Sequence, residues 1–276
     1  MQKFIAEKPQ KLKDFTDEKY PQGSFAMARL LRARDVRVNG NRVDRNVMLA
    51  AGDEVVYYTT AKEEEKQFYR EVYRDENILV VDKFSGVNSE ALFFALRGIG
   101  VRPVHRLDRN TSGLLCLALN GKAERCLLSA FRDRRIDKIY EAICFYPFKK
   151  ESARLEGFLR KDEKAARVFV FNAPQRGALP IRTDYRVLCS YGEYSKVEII
   201  LHSGKTHQIR AHMAYVGHPV AGDEKYGCER LNSKYGVRRQ LLVAKRLCLH
   251  TGGVLSYLEG KTFVSSFQAE LPVAAE

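Results

Sequence analysis

The chain has 276 residues, of which 45% are hydrophobic and 29% charged. That is ordinary globular composition, and it excludes a disordered polymer, a collagen-like fibre and a coiled coil. Lys and Arg number 47 against 34 Asp and Glu, a formal net charge of +13, and an excess of that size points to a polyanionic partner such as nucleic acid or an anionic membrane surface. In chain order, Ser24 is the expected cap of a helix carrying Met27, Leu30 and Leu31 at helical spacing. The same helix carries Arg29 and Arg32, with Arg34 close by. Residues 36–43 read as a hairpin, because Asn39-Gly40 tolerates the positive φ of a tight turn. Alternation puts its valines on one face and Arg37 on the other, and Arg42 follows the turn. Gly52-Asp53 then leads into a strand over 54–58.

The polar run Ala61-Lys62-Glu63-Glu64-Glu65-Lys66 has nothing to pack and reads as a linker between a small unit and the rest. The expected division is therefore a small domain over 1–61, a linker over 62–69 and a large domain over 70–276. Residues 1–66 hold 13 basic and 11 acidic groups, so most of the positive excess belongs to the larger part. That part opens with a buried strand over 78–83, and a helix over 91–97 closed by Gly98. Asn120-Gly121 precedes a helix to about 134 with Leu127, Leu128 and Phe131 inward. Strands are expected over 140–145, 167–171, 182–190 and 196–202. Thr206 caps a helix to 216, ended by Gly217 and Pro219, and the tail over 246–267 alternates like strands. Strands dominate with helices interspersed, so the fold class is α+β, with a mixed sheet rather than strict βαβ alternation.

Five places carry chemistry. In His105-Arg106-Leu107-Asp108-Arg109-Asn110-Thr111-Ser112-Gly113, a loop ends in an apolar run that forms a rigid mount. Asp108 lies between two arginines, whose charges favour an ionised, oriented carboxylate able to act as nucleophile or base. The same residues could instead satisfy backbone groups in a turn. Lys138-Ile139-Tyr140 sets an aromatic ring at a strand start, where it can stack on a base or simply pack. In the run 204–212, GKTHQIRAH, His207 and Arg210 lie three apart on one helix face, so Arg210 can hold a carboxylate or phosphate. Residues 217–227 form a long rigid turn, and 246–250 a strand that could line a pocket with Leu249. Four of the six histidines fall between 202 and 218, but His207 and His212 are five apart and no HExxH or cysteine partner accompanies them. No metal site is expected.

The strings HRLDRNTSGL, KIYEA, GKTHQIRAH, GHPVAGDEKYG and RLCLH stand in the order found in the RluA-type family of pseudouridine synthases, and the chain resembles that family over about residues 70–270. Residues 12–60, with ARDVRVNG at 33–40 and AGDEV at 51–55, resemble the S-four RNA-binding module. The resemblance implies an RNA pseudouridine synthase with a largely antiparallel catalytic sheet that needs no cofactor. It makes Asp108 the catalytic aspartate, Arg210 its pairing arginine and Tyr140 the ring stacked on a flipped uracil. It makes Arg106 the side chain entering the RNA stack, and Leu249 the aliphatic residue on the base's other side. His105, Arg109, Thr111, His207 and Gln208 fall in the same motifs as substrate-binding residues, and Arg29, Arg32, Arg34, Arg37 and Arg42 become the RNA-binding face of the small module. Lys83-Phe84-Ser85-Gly86 departs from the family's Lys-Pro-x-Gly, and the stretch from there to His105 is short.

The implied partner is RNA, with ribosomal RNA favoured over transfer RNA as the alternative, and with no membrane and no obligate protein partner. The longest apolar runs fall far short of the roughly 20 residues of a membrane helix, no signal-peptide core opens the chain, and the six cysteines contain no CxxC pair. A cytoplasmic protein with reduced thiols is the expectation. Two rivals are a non-catalytic RNA-binding protein, which leaves the five motifs idle, and a metal-dependent hydrolase built on the histidines.

Overall fold

The computed structural model describes residues 1–272; the last four residues, where the expected large domain ends, lie outside the described residues. Contacts divide the chain into two compact units, Met1–Phe68 with Val87–Val101, and Tyr69–Gly86 with Arg102 onward. The sequence assigns 87–101 to the larger domain, whereas its helix Ser89–Ala95 packs on the helices Leu12–Lys19 and Pro21–Ala33 of the first unit. Asn88 caps that helix through the Glu90 N–H, and Arg97 donates to the Asp17 carbonyl at 2.6 Å. Leu92 and Leu96 need cover, and an apolar face does not announce which unit supplies it.

In the first unit, the strands Gln2–Ile5, Glu54–Tyr57, Val36–Val38 and Asn41–Val43 lie side by side in that order. Leu12, Phe15, Leu30, Val36, Val55 and Tyr57 fill the core beneath them. Helix Pro21–Ala33 begins at the proline, whose fixed φ suits the first helical position, so Ser24 lies inside it and Tyr20 takes the cap. The helix ends at Arg34 in the left-handed region. Asn39 and Gly40 both have positive φ, as the hairpin turn requires. Arg29, Arg32, Arg34 and Arg42 are exposed. Arg37 is half-buried with its guanidinium 5.0 Å from the Tyr58 ring. Asp35 and Asp44 partly offset Arg29 and Arg34, at 4.0 and 3.5 Å. The stretch expected to be a bare linker includes a helical turn, Ala61–Glu64, and the Glu64 carboxylate accepts from the hydroxyls of Tyr20 and Thr59.

The second unit is built on an 11-stranded sheet. Its path runs Arg167–Phe171, Ser152–Asp162, Leu179–Ser190, Tyr194–Leu201, Ile136–Phe145, Leu242–Leu249, Ser112–Ala118, Ile78–Lys83, Tyr69–Arg74. Neighbours along the path are antiparallel except Ser112–Ala118 beside Leu242–Leu249. Strand Ser152–Asp162, alternately exposed and buried, has no counterpart in the sequence reading. Strand Leu242–Leu249 holds the middle: it pairs with Ile136–Phe145 along its length, with Ser112 and Gly113 at one end and with Lys261–Val264 at the other. Gly113, at φ +106°, lets two strands meet, since a Cβ there would lie 2.4 Å from the Ala244 carbonyl oxygen.

Helix Gly121–Arg132 covers one face of this sheet, capped by Asn120 through the N–H groups of Lys122 and Ala123. It buries Ala123, Leu127 and Ala130 against Val80, Leu114, Cys116, Leu247 and Leu249. Leu128, expected inward, is exposed. A second cluster, Ile143, Phe145, Leu231 and Val243, fills a separate part of the unit. Among the described residues no helix is long and apolar enough to cross a membrane.

Candidate active site

A cleft of about 380 Å³ opens in the second unit. The HRLDR loop, the start of strand Ile136–Phe145 and the segment 204–210 converge on it. Arg106, Asp108, Thr111, Tyr140, His207 and Arg210 all line it, as do His105 and Gln208. Two expected members do not. Arg109 points to the Gly86 carbonyl at 3.1 Å. Leu249 is fully buried in the core against helix Gly121–Arg132, and Leu107, Leu201, Ile209 and Leu242 supply the aliphatic wall instead.

Arg210 organises the floor. Its Nη1 donates to Asp108 Oδ2 at 2.9 Å, while Nε and Nη2 form a fork on Asp223 at 2.6 and 3.0 Å. A forked guanidinium–carboxylate pair fixes direction as well as charge. Asp223 is fully buried and also accepts the N–H groups of Lys225 and Tyr226, at 2.8 and 3.0 Å. Burial alone would raise its carboxyl; Arg210 and those N–H groups outweigh that and hold it below its ordinary range. Burial likewise works against the Arg210 charge, and Asp223 and Asp108 outweigh it and push its pKa up. Asp108 is the part of this network that reaches the cleft, with its side chain 21% exposed. The turn reading of the loop holds for the main chain alone, where the Thr111 N–H meets the Asp108 carbonyl.

His207, not Thr206, is the residue before helix Gln208–Tyr215, and it has φ +52°. Its Nε2 lies 4.0 Å from Asp108 Oδ2 and its Nδ1 3.0 Å from the Tyr226 hydroxyl. Tyr226 also accepts the Val168 N–H at 2.8 Å, and when its hydroxyl donates to His207 Nδ1 the imidazole proton sits on Nε2, on the side of Asp108. Burial lowers the His207 pKa, and the Asp108 charge opposes that. Tyr140 is 9% exposed. Burial, then the negative Asp108, raises its hydroxyl pKa, so it stays a neutral phenol.

Several partners serve as supports. His105 Nε2 accepts the Cys116 N–H at 2.9 Å and its ring lies 4.5 Å from that of Phe131. Burial, aided by the Lys138 charge, pushes its pKa down to about 3, so it remains the neutral acceptor that holds the loop to its strand. Gln208 spends its amide on the frame: Ser203 and the Lys205 N–H donate to it, and it donates to Arg182 and Thr183. Thr111 is buried and accepts from Gln240 at 2.9 Å. Lys83, also buried, donates to the carbonyls of Phe84 and Arg109, and burial pulls it down to about 7 against the Asp108 charge. The histidines do not gather: His202 faces Asp184, His212 faces Thr183 and His218 stacks on Phe148.

The profile of the family described as RNA pseudouridylate synthase matches residues 77–215, half of the chain, including Asp108, Tyr140 and Arg210. The chain belongs to that family. Its relatives include the ribosomal large subunit pseudouridine synthase C of Vibrio cholerae, 32% identical over 249 residues, covering 79% of this chain and 78% of that protein. The ribosomal large subunit pseudouridine synthase D of Borreliella burgdorferi is 33% identical over 177 residues, 56% and 54% of the two chains. Among solved structures, human RNA pseudouridylate synthase domain containing 1 superposes with a TM-score of 0.58 at 28% identity, covering 73% of this chain and 90% of that one. The chain is thus an RNA pseudouridine synthase, an enzyme whose substrate is RNA, and the mixed, largely antiparallel sheet is the pseudouridine synthase fold. Asp223 and Tyr226, which the sequence reading placed in the rigid turn over 217–227 without a role of their own, and Leu242, which it did not single out, belong to the site's frame.

Proposed function

We propose that this synthase isomerises uridines of large-subunit ribosomal RNA, with Asp108 as the catalytic carboxylate and Arg210 as the residue that aims it. The observation that carries the reading is the buried relay Asp223–Arg210–Asp108, which ends in a cleft beside Tyr140. Ribosomal RNA is favoured because the relatives from Vibrio cholerae and Borreliella burgdorferi are named for that subunit.

The reaction breaks the bond between ribose and a uracil nitrogen and rebuilds it to a ring carbon, with no atoms gained or lost. The target nucleotide leaves its stack at a cost of roughly a few kcal/mol. Tyr140 offsets part of that by stacking, worth roughly 1–3 kcal/mol per base, and Arg106, exposed at the cleft's edge, fills the gap in the RNA. As the base departs, positive character grows on the sugar, and the Asp108 carboxylate stabilises it. The aliphatic wall of Leu107, Ile209 and Leu242 keeps water from the broken bond.

The first unit, Met1–Phe68 with Val87–Val101, acts as an S-four-like RNA-binding domain, and the second unit carries the catalysis. Its support is the arginine-bearing helix Pro21–Ala33 followed by the Asn39-Gly40 hairpin. The working compartment is the cytoplasm, where such RNA is at hand. Purified enzyme incubated with transcripts of large-subunit ribosomal RNA and of transfer RNA tests this. Pseudouridine appearing at discrete sites in the ribosomal transcript supports the substrate; conversion of transfer RNA alone overturns it.

A further inference from the structure

A second group of reactive side chains lies in the same unit but outside the cleft. We propose that Asp137, Cys248 and His250 form a binding site for a divalent transition metal of the zinc type, with a fourth position open to water.

The sheet register builds this site. Asp137 and Cys248 are directly paired across strands Ile136–Phe145 and Leu242–Leu249, so their side chains leave the same face as neighbours. Leu247 and Leu249 are held in the core on the opposite face, which fixes the roll of the strand. The His250 N–H continues the ladder by donating to the Arg135 carbonyl at 2.9 Å, which sets His250 two residues from Cys248 on the same side. Among the described residues these three offer a nitrogen, a sulfur and a carboxylate oxygen all within 4.8 Å of one another.

The spacing is that of a coordination shell. Zinc bonds of about 2.3 Å to sulfur and about 2.0–2.1 Å to nitrogen or oxygen, held at the tetrahedral angle, put sulfur and nitrogen about 3.6 Å apart and nitrogen and oxygen about 3.3 Å apart. Cys248 Sγ lies 3.6 Å from His250 Nε2, and Asp137 Oδ2 lies 3.2 Å from the same nitrogen. An independent feature orients the imidazole: Glu259 Oε1 lies 3.1 Å from His250 Nδ1. A carboxylate on the far ring nitrogen holds a proton there and turns the lone pair of Nε2 to the ion, as outer carboxylates do in metal sites. Thiolate with imidazole selects zinc or cobalt over magnesium and calcium. Asp137 and His250 are half-exposed, so an ion reaches them from solvent. The rival arrangement is a plain surface ion pair, with the imidazole between two carboxylates.

The ion would clamp together the strands that carry Tyr140 and Leu242, steadying the cleft without taking part in the chemistry. The spacing along the chain conceals the group, since Asp137 is 113 residues from His250.

The test is titration of the full-length, metal-stripped enzyme with cobalt(II), then zinc(II). The expected result is one equivalent bound, with the near-ultraviolet charge-transfer band of a cobalt–thiolate bond, displaced by zinc. Cys248→Ser abolishes the band, and Asp137→Asn, which keeps the thiol, weakens binding. Glu259→Gln keeps the band but lowers affinity about 10–100-fold. Cys228→Ser, away from the cluster, binds as the parent does. Absence of the band from the parent, its survival in Cys248→Ser, or its loss in Cys228→Ser overturns the site and leaves the ion pair.

Discussion

Replacing Asp223 by Asn separates the frame of the site from its chemistry. The side chain is fully buried and holds two nitrogens of Arg210, at 2.6 and 3.0 Å. Asparagine keeps the shape and removes the charge, leaving a guanidinium that is itself 8% exposed with Asp108 as its remaining carboxylate. Breaking a buried pair by removing one partner costs about 3–5 kcal/mol, which lowers the melting temperature by on the order of 10 °C in a unit of this size. The loss has a pH signature. The folded-state pKa of Asp223 is depressed, so its stabilisation is complete above the ordinary carboxyl value of about 4 and drains away as pH falls through the lower folded value. Urea unfolding of parent and variant across pH 3 to 7 measures it. The gap should be full at neutral pH and close in acid. A variant within about 1 kcal/mol of the parent at pH 7, or a gap that widens in acid, would refute the reasoning.

Arg106→Ala should lower turnover more than RNA affinity in parallel single-turnover and filter-retention measurements; a collapse of affinity with normal turnover would make Arg106 a phosphate contact. Leu242→Ala should reduce kcat/KM by about 10-fold, equal to about 1.4 kcal/mol. Leu249→Ala should leave kcat/KM unchanged while costing about 2–5 kcal/mol of stability as a core truncation. Gly113→Ala should destabilise by more than about 3 kcal/mol, because the new Cβ meets the Ala244 backbone at a φ that L residues rarely adopt; a melting curve like the parent's would mean that the two strands separate without penalty.

The motif strings made much of the cleft legible. Asp108, Tyr140, His207 and Arg210 carry unusual chemistry in short, recognisable runs, and they meet in one place. Asp223 was less legible because its importance comes from a contact with Arg210, 13 residues away, and from burial. Leu249 and Leu242 exchange roles for a different reason. Strand Leu242–Leu249 is largely buried on both faces, so no polar stripe marks which leucine faces the cleft, and a register shift in its pairing interrupts the alternation. Gln208 and His105 read as contacts for substrate, yet their hydrogen bonds go to the frame. The helix Ser89–Ala95 shows the limit for domain boundaries. Its amphipathic pattern identifies a helix, while the surface that covers it belongs to residues far earlier in the chain.

Asp108→Asn tests the account at its centre. The side chain keeps its shape, lies partly exposed at the cleft, and can lose its charge while Arg210 keeps its fork on Asp223. Pseudouridine formation on a ribosomal RNA transcript should fall by at least about 10³-fold, while RNA affinity, set mainly by phosphate contacts elsewhere, stays within about 3-fold. A folded variant that converts uridine at the parent's rate would show that the carboxylate at position 108 does not carry the reaction.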